Sequence, residues 1–191
     1  MKKGLIAVIA VVAVVVMAFS WFIGTRNDLV SLQTEVELQQ SQVQTTLQRR
    51  ADLIPNLVST VKAYAKHEET VYTEIAEARA KLSGSIEQGN IEEMSQASNQ
   101  LESALSRLLI VVEKYPELQA SEQFIALQDE LAGTENRINV ARQNYNESVA
   151  AYNKQIKLFP ASIVASSSGF EPMEYFEADE KAQDAPVVNF D

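Results

Sequence analysis

Few residues in this 191-residue chain are equipped for chemistry, and their spacing does not favour it. His67 is the single histidine and there is no cysteine. That excludes thiol catalysis, thiolate zinc sites, disulfides and a lipid-modified cysteine. The segment HEETV starts at His67 like the zinc motif H-E-x-x-H, but Val71 stands where the second imidazole is needed. A Ser-His-Asp triad would have to use the same His67, in a polar part of a predicted helix with no strained turn nearby. Gly84 and Gly89 in GSIEQGNI have the spacing of a phosphate-binding loop, yet Asn90 and Ile91 replace the lysine and hydroxyl residue that hold phosphate and metal. Asn146-Glu147-Ser148 matches a glycosylation acceptor but falls in mid-helix. A hydrolase is therefore only a remote reading. No catalytic residue, metal site or cofactor is expected.

A different set of polar residues stands at phases that a helix would bury. At about 100° per residue, Glu135, Arg142, Asn146 and Asn153 form a nearly straight polar row beside an apolar stripe. On an earlier helical pattern Arg50, Glu68 and Arg79 lie within the apolar stripe itself. Buried charge is costly unless paired. One reading is that the two rows meet in interhelical ion pairs, Arg50 or Arg79 with Glu135, and in amide hydrogen bonds, which together fix the register and topology of an otherwise uniform bundle. The other is a polar ligand groove between the two helices, lined by Arg50, Arg79, Glu135 and Arg142.

The elements that must position these residues are helices. From Gly4 to Gly24 there is no charge. At about 1.5 Å per residue this run reaches roughly 30 Å, one hydrocarbon core. Lys2 and Lys3 precede it, and Trp21 and Phe22 sit at its far end, where aromatic rings favour the interface. Ala18-Phe19-Ser20 resembles a cleavage site, but the run is longer than a usual signal core, which favours a retained anchor over residues 1–26. The positive-inside rule then places the N-terminus in the cytoplasm and the bulk of the chain outside it.

Leu29, Leu32, Val36, Val43, Leu47, Ile54, Val58, Val61 and Ala65 predict a first long helix from about Asp28 to Leu82. Its phase continues across Pro55, which predicts a kink rather than a loop, with Arg50 near the carbonyls that the proline leaves unpaired. The segment SGSIEQGN, Ser83 to Asn90, reads as a turn. Met94, Ala97, Leu101, Leu105, Leu108 and Val112 mark a second helix, opened by an Asn90/Glu93 capping box and closed at Tyr115-Pro116. Phe124, Leu127, Leu131, Ile138, Tyr145, Val149, Tyr152 and Ile156 mark a third, stopped by Pro160. The predicted fold is all-α: a transmembrane helix followed by an elongated antiparallel up-and-down bundle over 27–159. It has three long helices, or four helical segments counting the kink.

The remainder, 160–191, is acidic and reads as disordered. Its seven acids against Lys181 carry six of the ten net negative charges. Phe170, Tyr175, Phe176 and Phe190 within it could dock onto a partner. A net charge of −10 argues against nucleic acid, which needs Lys and Arg on one face. Gln39, Gln40, Gln42 and Gln44 form an uncharged polar cluster suited to self-association.

The stretches RRADLIPNLVSTVKAYAKHE, LSRLLIVVEKYPELQA and LQDELAGTENRINVARQNYNESVAAYNKQIKLFP, with the anchor before them and Gly169-Phe170 after, resemble the LemA family over nearly the whole chain beyond the anchor. The resemblance implies a single-pass bacterial membrane protein with an antiparallel helical bundle and no established catalytic activity. It also implies a gene lying near those for a membrane metalloprotease or small membrane-associated domains, and a relative that takes part in magnetosome membrane formation. The function expected is a non-enzymatic membrane scaffold or adaptor, in envelope maintenance or membrane remodelling. Its partners would be the membrane, a second copy or a membrane protease. The alternative is a sensor binding a ligand in the polar groove.

Overall fold

The computed structural model describes residues 2–177. Its elements are α1 (Lys2–Tyr64), α2 (Glu69–Gln88), α3 (Ile91–Val112), α4 (Pro116–Gln119), α5 (Glu122–Lys157) and α6 (Ala161–Ser168), with no strand among the described residues. The chain divides into two compact units. One comprises the residues up to Gln39 with Glu147–Met173, and the other Gln40–Asn146 with the chain from Glu174.

The apolar run is the start of α1, and none of its membrane-length window is buried by the rest of the chain. Leu5, Val12 and Phe19 point outward, as lipid-facing side chains must. Beyond it, Leu29, Val36, Val43, Arg50 and Leu57 are all buried at intervals of seven, and Leu47, Ile54 and Val61 form a second buried line. Seven residues are about two turns, so both lines keep to one helix face. Leu57 takes the core position expected of Val58, which is half-buried.

α1 runs through Pro55. A proline inside a helix has no N–H to give the carbonyl four residues back, here that of Ala51. The missing donor comes from another helix. Arg79 of α2 donates its Nε–H to the Ala51 oxygen at 2.7 Å. The expected joint is thus corrected twice. Arg79, not Arg50, serves the free carbonyl, and the chain leaves the helix ten residues later, at Ala65–Glu68. There the Tyr72 hydroxyl donates to the Ala65 carbonyl, and the Lys62 ammonium sits 4.9 Å from the Tyr72 ring centre. The single long helix predicted over 28–82 is therefore divided between α1 and α2, with His67 exposed in the turn between them.

The turn predicted over 83–90 shrinks in the same way. α2 continues through Gly84 to Gln88, and only Gly89 breaks it, at φ 71° in the left-handed region that glycine tolerates. Asn90 then caps α3, its side chain accepting the Glu93 N–H at 3.1 Å. From α1, Gln40 donates to the Gly89 carbonyl at 2.8 Å and Gln44 to that of Ile86 at 3.5 Å. Two of the glutamines read as a self-association surface are thus engaged at the end of α2, which packs against α3. Tyr115-Pro116 ends α3 as expected, with Pro116 opening the single turn of α4.

The bundle does not stop at Phe159. α6 buries Ala161, Val164 and Ala165, and Gly169 closes it in the left-handed conformation. The chain to Glu177 is then held against α5 and α3 by the bonds described below. Composition alone suggested disorder from Pro160. Side-chain donors and acceptors on the helices explain why 160–177 is ordered instead.

Candidate functional site

In the second unit the predicted charge meeting occurs once. Arg50, 5% exposed, brings Nη1 to 3.0 Å from Oε2 of Glu135. These two buried atoms make an ion contact without hydrogen-bond alignment. Arg49 pairs with Glu130 one turn away at 2.7 Å, but both side chains are largely in water, where such a pair contributes little. Arg79 serves Ala51, as described. Glu68 joins no row. It stands half-buried at the N-terminus of α2 and makes no side-chain cap.

Arg142, one heptad beyond Glu135, donates from Nη2 to the Ser98 hydroxyl at 2.7 Å and stacks its guanidinium 4.6 Å over the Phe176 ring. Its buried Nε has no hydrogen-bond partner among the described residues. Burial lowers the Arg142 pKa, with Glu135 and Glu102 pulling it back up and Arg50 adding to the depression. A guanidinium remains charged at any physiological pH even so. The planar cation over the ring face is the geometry in which the ring quadrupole attracts it.

The asparagines make amide hydrogen bonds, as one reading expected, but their partners are backbone groups of the C-terminal segment and not the row on α1 and α2. Asn146 donates from Nδ2 to the Phe176 carbonyl at 2.9 Å and accepts the Phe176 N–H on Oδ1 at 2.8 Å. Its neighbour Tyr145 donates to the Glu174 carbonyl at 2.9 Å, and Ser95 of α3 donates to that of Glu177 at 2.8 Å. In the first unit Asn153 makes the same double bond to Met173, at 2.8 Å each way, and Tyr152 donates to the Glu171 carbonyl at 2.9 Å. A primary amide presents a donor and an acceptor side by side, as a strand neighbour would. Each asparagine thus pairs with a single extended residue. Burial raises both phenols, Tyr145 to about 12 with Glu174 adding to it, and Tyr152 with Glu171 adding.

Phe176, read as part of a partner-docking tail, is 3% exposed and used by its own chain. Phe170 is half-buried, Tyr175 is exposed, and Phe190 lies outside the described residues. Asn146 engages both amide atoms inside the fold, which accounts for it without a glycan. Among the described residues no acid or histidine cluster could hold a metal ion.

Sequence reasoning placed Tyr145 and Tyr152 in the apolar stripe but missed the bonds their hydroxyls make, and it missed Ser95 and Ser98. The available signal was a Tyr-Asn dipeptide repeated seven residues apart, at Tyr145-Asn146 and Tyr152-Asn153.

One groove touches the row. A space of about 390 Å³ is lined by Leu57 of α1, Leu105 and Leu109 of α3 and Leu131 of α5, with Arg50 and Glu135 of the row and also Glu102, Ser106, Gln128 and Asp129 among its polar members. Arg79 and Arg142, expected to line the same groove, do not.

An apolar spanning helix followed by helices that fasten their own C-terminal segment defines a membrane-anchored, all-α protein. The model of the LemA family matches residues 39–190, and the chain belongs to that family. It is 25% identical to magnetosome protein MamQ 2 of Paramagnetospirillum magneticum over 98% of this chain and 75% of the relative. It is 26% identical to magnetosome protein MamQ of Magnetospirillum gryphiswaldense over 85% and 68%. It is also 25% identical to protein LemA of Metamycoplasma hominis over 83% and 72%.

Proposed function

We propose that this LemA-family protein is a non-enzymatic scaffold or adaptor on a membrane, acting by assembly or partner binding in envelope maintenance or membrane remodelling. One observation carries this reading. The polar residues that could have formed a site are occupied in holding the fold: Arg50 on Glu135, Arg79 on Ala51, Arg142 on Ser98 and Phe176, and both asparagines on backbone. The names of the relatives, which are not those of enzymes, and the magnetosome setting of two of them agree with it. The partner is a second copy, a membrane protease or another membrane protein, and Lys2 and Lys3 orient the N-terminus to the cytoplasm. Crosslinking in native membranes tests the reading. A discrete crosslinked species supports it, and monomer alone overturns it. The comparison chain should end at Glu177, because α6 and the clamped segment belong to the fold.

A second reading, a sensor, rests on the 390 Å³ groove, whose leucines and Arg50/Glu135 pair suit a small amphipathic ligand. A structure of protein extracted from its own membrane would favour it if the groove held a ligand, and count against it if the groove were empty.

A further inference from the structure

The end of α5 and the start of α6 present an apolar surface that none of the described residues covers. Phe159 is 82% exposed, with Ile163 at 55% and Leu158 at 46%. Large apolar side chains this exposed and this close together mark an interaction surface. Beside them Lys154 and Lys157, in the last turn of α5, are also exposed, and α6 itself carries no charge.

The place of this surface in the first unit indicates its occupant. The residues up to Gln39 and Glu147–Met173 form that unit, so the C-terminal end of α5 and all of α6 share it with the membrane-length run of α1. Leu29, little more than one turn beyond Gly24, is already fully buried, and Phe22 and Thr25 are half-covered. In this unit the residues outside α1 are Glu147–Met173, and its compactness points to them as that cover. It follows that they reach the level at which α1 leaves the hydrocarbon, where Trp21 and Phe22 lie. A phenyl ring and two aliphatic side chains at that level, flanked by lysines on flexible stems, have the make-up of an interfacial contact: apolar groups below the headgroups and ammonium groups among the phosphates.

We propose that the α5–α6 turn is a second membrane contact. Leu158, Phe159 and Ile163 enter the boundary of the leaflet from which α1 emerges, and Lys154 and Lys157 pair with anionic lipid phosphates. The first unit would then rest on the bilayer at two points, which would restrict its tilt and rotation. The inference depends on the anchor remaining in the membrane and not on the scaffold reading.

The absence of cysteine makes the test direct. The full-length chain carrying Phe159→Cys, labelled with an environment-sensitive dye, is placed as one copy per nanodisc. The lipid is either phosphatidylcholine alone or phosphatidylcholine with phosphatidylglycerol. Glu113→Cys, exposed in the second unit, serves as the aqueous reference. The expected result is a blue-shifted emission at position 159, strong quenching by lipids spin-labelled just below the headgroup, and several-fold protection from iodide relative to position 113. Adding Lys154→Glu and Lys157→Glu should reduce that protection in the anionic discs. A label at 159 as accessible to iodide as the one at 113 overturns the proposal. So does protection that appears only when two copies share a disc, which would make the surface a contact between copies. Equal protection in both lipids, unaffected by the lysine changes, overturns the assignment of the lysines to phosphates.

Discussion

Each unit fastens its own stretch of the C-terminal segment with the same pair of residue types, a tyrosine followed by an asparagine. In the first, Tyr152 and Asn153 hold Glu171 and Met173. In the second, Tyr145 and Asn146 hold Glu174 and Phe176. The hydrogen bonds match to within about a tenth of an ångström. What differs is the held side chain. Met173 is half-buried. Phe176 is fully buried beneath the Arg142 guanidinium, whose other partner is Ser98, in the unit that also holds the Arg50–Glu135 contact. A backbone-directed amide therefore holds the segment without choosing between side chains, since it reads any non-proline residue alike. Differences in stability between the two sites must come from the side chains. Net gains of about 1 kcal/mol per neutral hydrogen bond, against several for a buried aromatic ring, make the second site the stronger.

The sharpest way to break this comparison is to remove the ring. Phe176→Ala should cost about 3–4 kcal/mol, a fully buried phenylalanine lost, whereas Met173→Ala should cost only about 1 kcal/mol because that side chain is half in water. Urea unfolding of the full chain in detergent reads both, and equal losses would refute the idea that side chains rank the sites. Next in size is Arg50→Leu, which strands a partly buried Glu135 and should cost about 3 kcal/mol. Adding Glu135→Leu should restore most of it, because two well-packed apolar residues replace a buried pair with little loss. If the double variant is as unstable as the single, the ion contact is not what Arg50 provides.

Asn146→Ala and Asn153→Ala test the shared half of the device. Each should cost about 2 kcal/mol through two lost bonds. Amide exchange should quicken at Phe176 in the first variant and at Met173 in the second. Asn→Asp at either position keeps the acceptor and loses the donor, so the held N–H should stay protected. The smallest effect is a pH dependence. The Tyr145 phenol ordinarily titrates at 10.0 and is raised to about 12 in the fold. Below 10 both folded and unfolded chains keep the proton. Between 10 and about 12 only the unfolded chain releases it, so stability falls as pH rises through that interval. Tyr145→Phe should flatten this decline. A decline unchanged in Tyr145→Phe would assign it to other groups.

Much of the fold was legible because it depends on periodicity. The anchor, the buried stripes, the Asn90 cap and the stop at Tyr115-Pro116 follow from apolar spacing and local chemistry. The breaks were harder to see. Pro55 looked like the interruption, yet a side chain from α2 repairs it. The real break at Ala65–Glu68 contains neither glycine nor proline, and Ala65 keeps the apolar phase right up to it. Gly84 and Gly89 looked equivalent, and only their backbone angles separate a helical residue from a terminator. Of the polar row, Arg50 with Glu135 could be anticipated from charge and phase. The roles of Asn146 and Asn153 could not, because their partners are backbone groups of a segment whose composition gave no sign of order. Nor could Arg79, whose acceptor is a carbonyl exposed only by a proline 24 positions earlier in the chain.

That last bond carries a consequence for how the chain is made. Ala51 and Arg79 are 28 residues apart. During synthesis from the N-terminus, α1 passes Pro55 with an open carbonyl well before the residue that will close it exists. The middle of α1 is therefore incomplete as a solitary helix and becomes complete only when α2 folds back alongside it. A proline placed here leaves the last hydrogen bond of one helix to be made by the next, with water on the carbonyl until then.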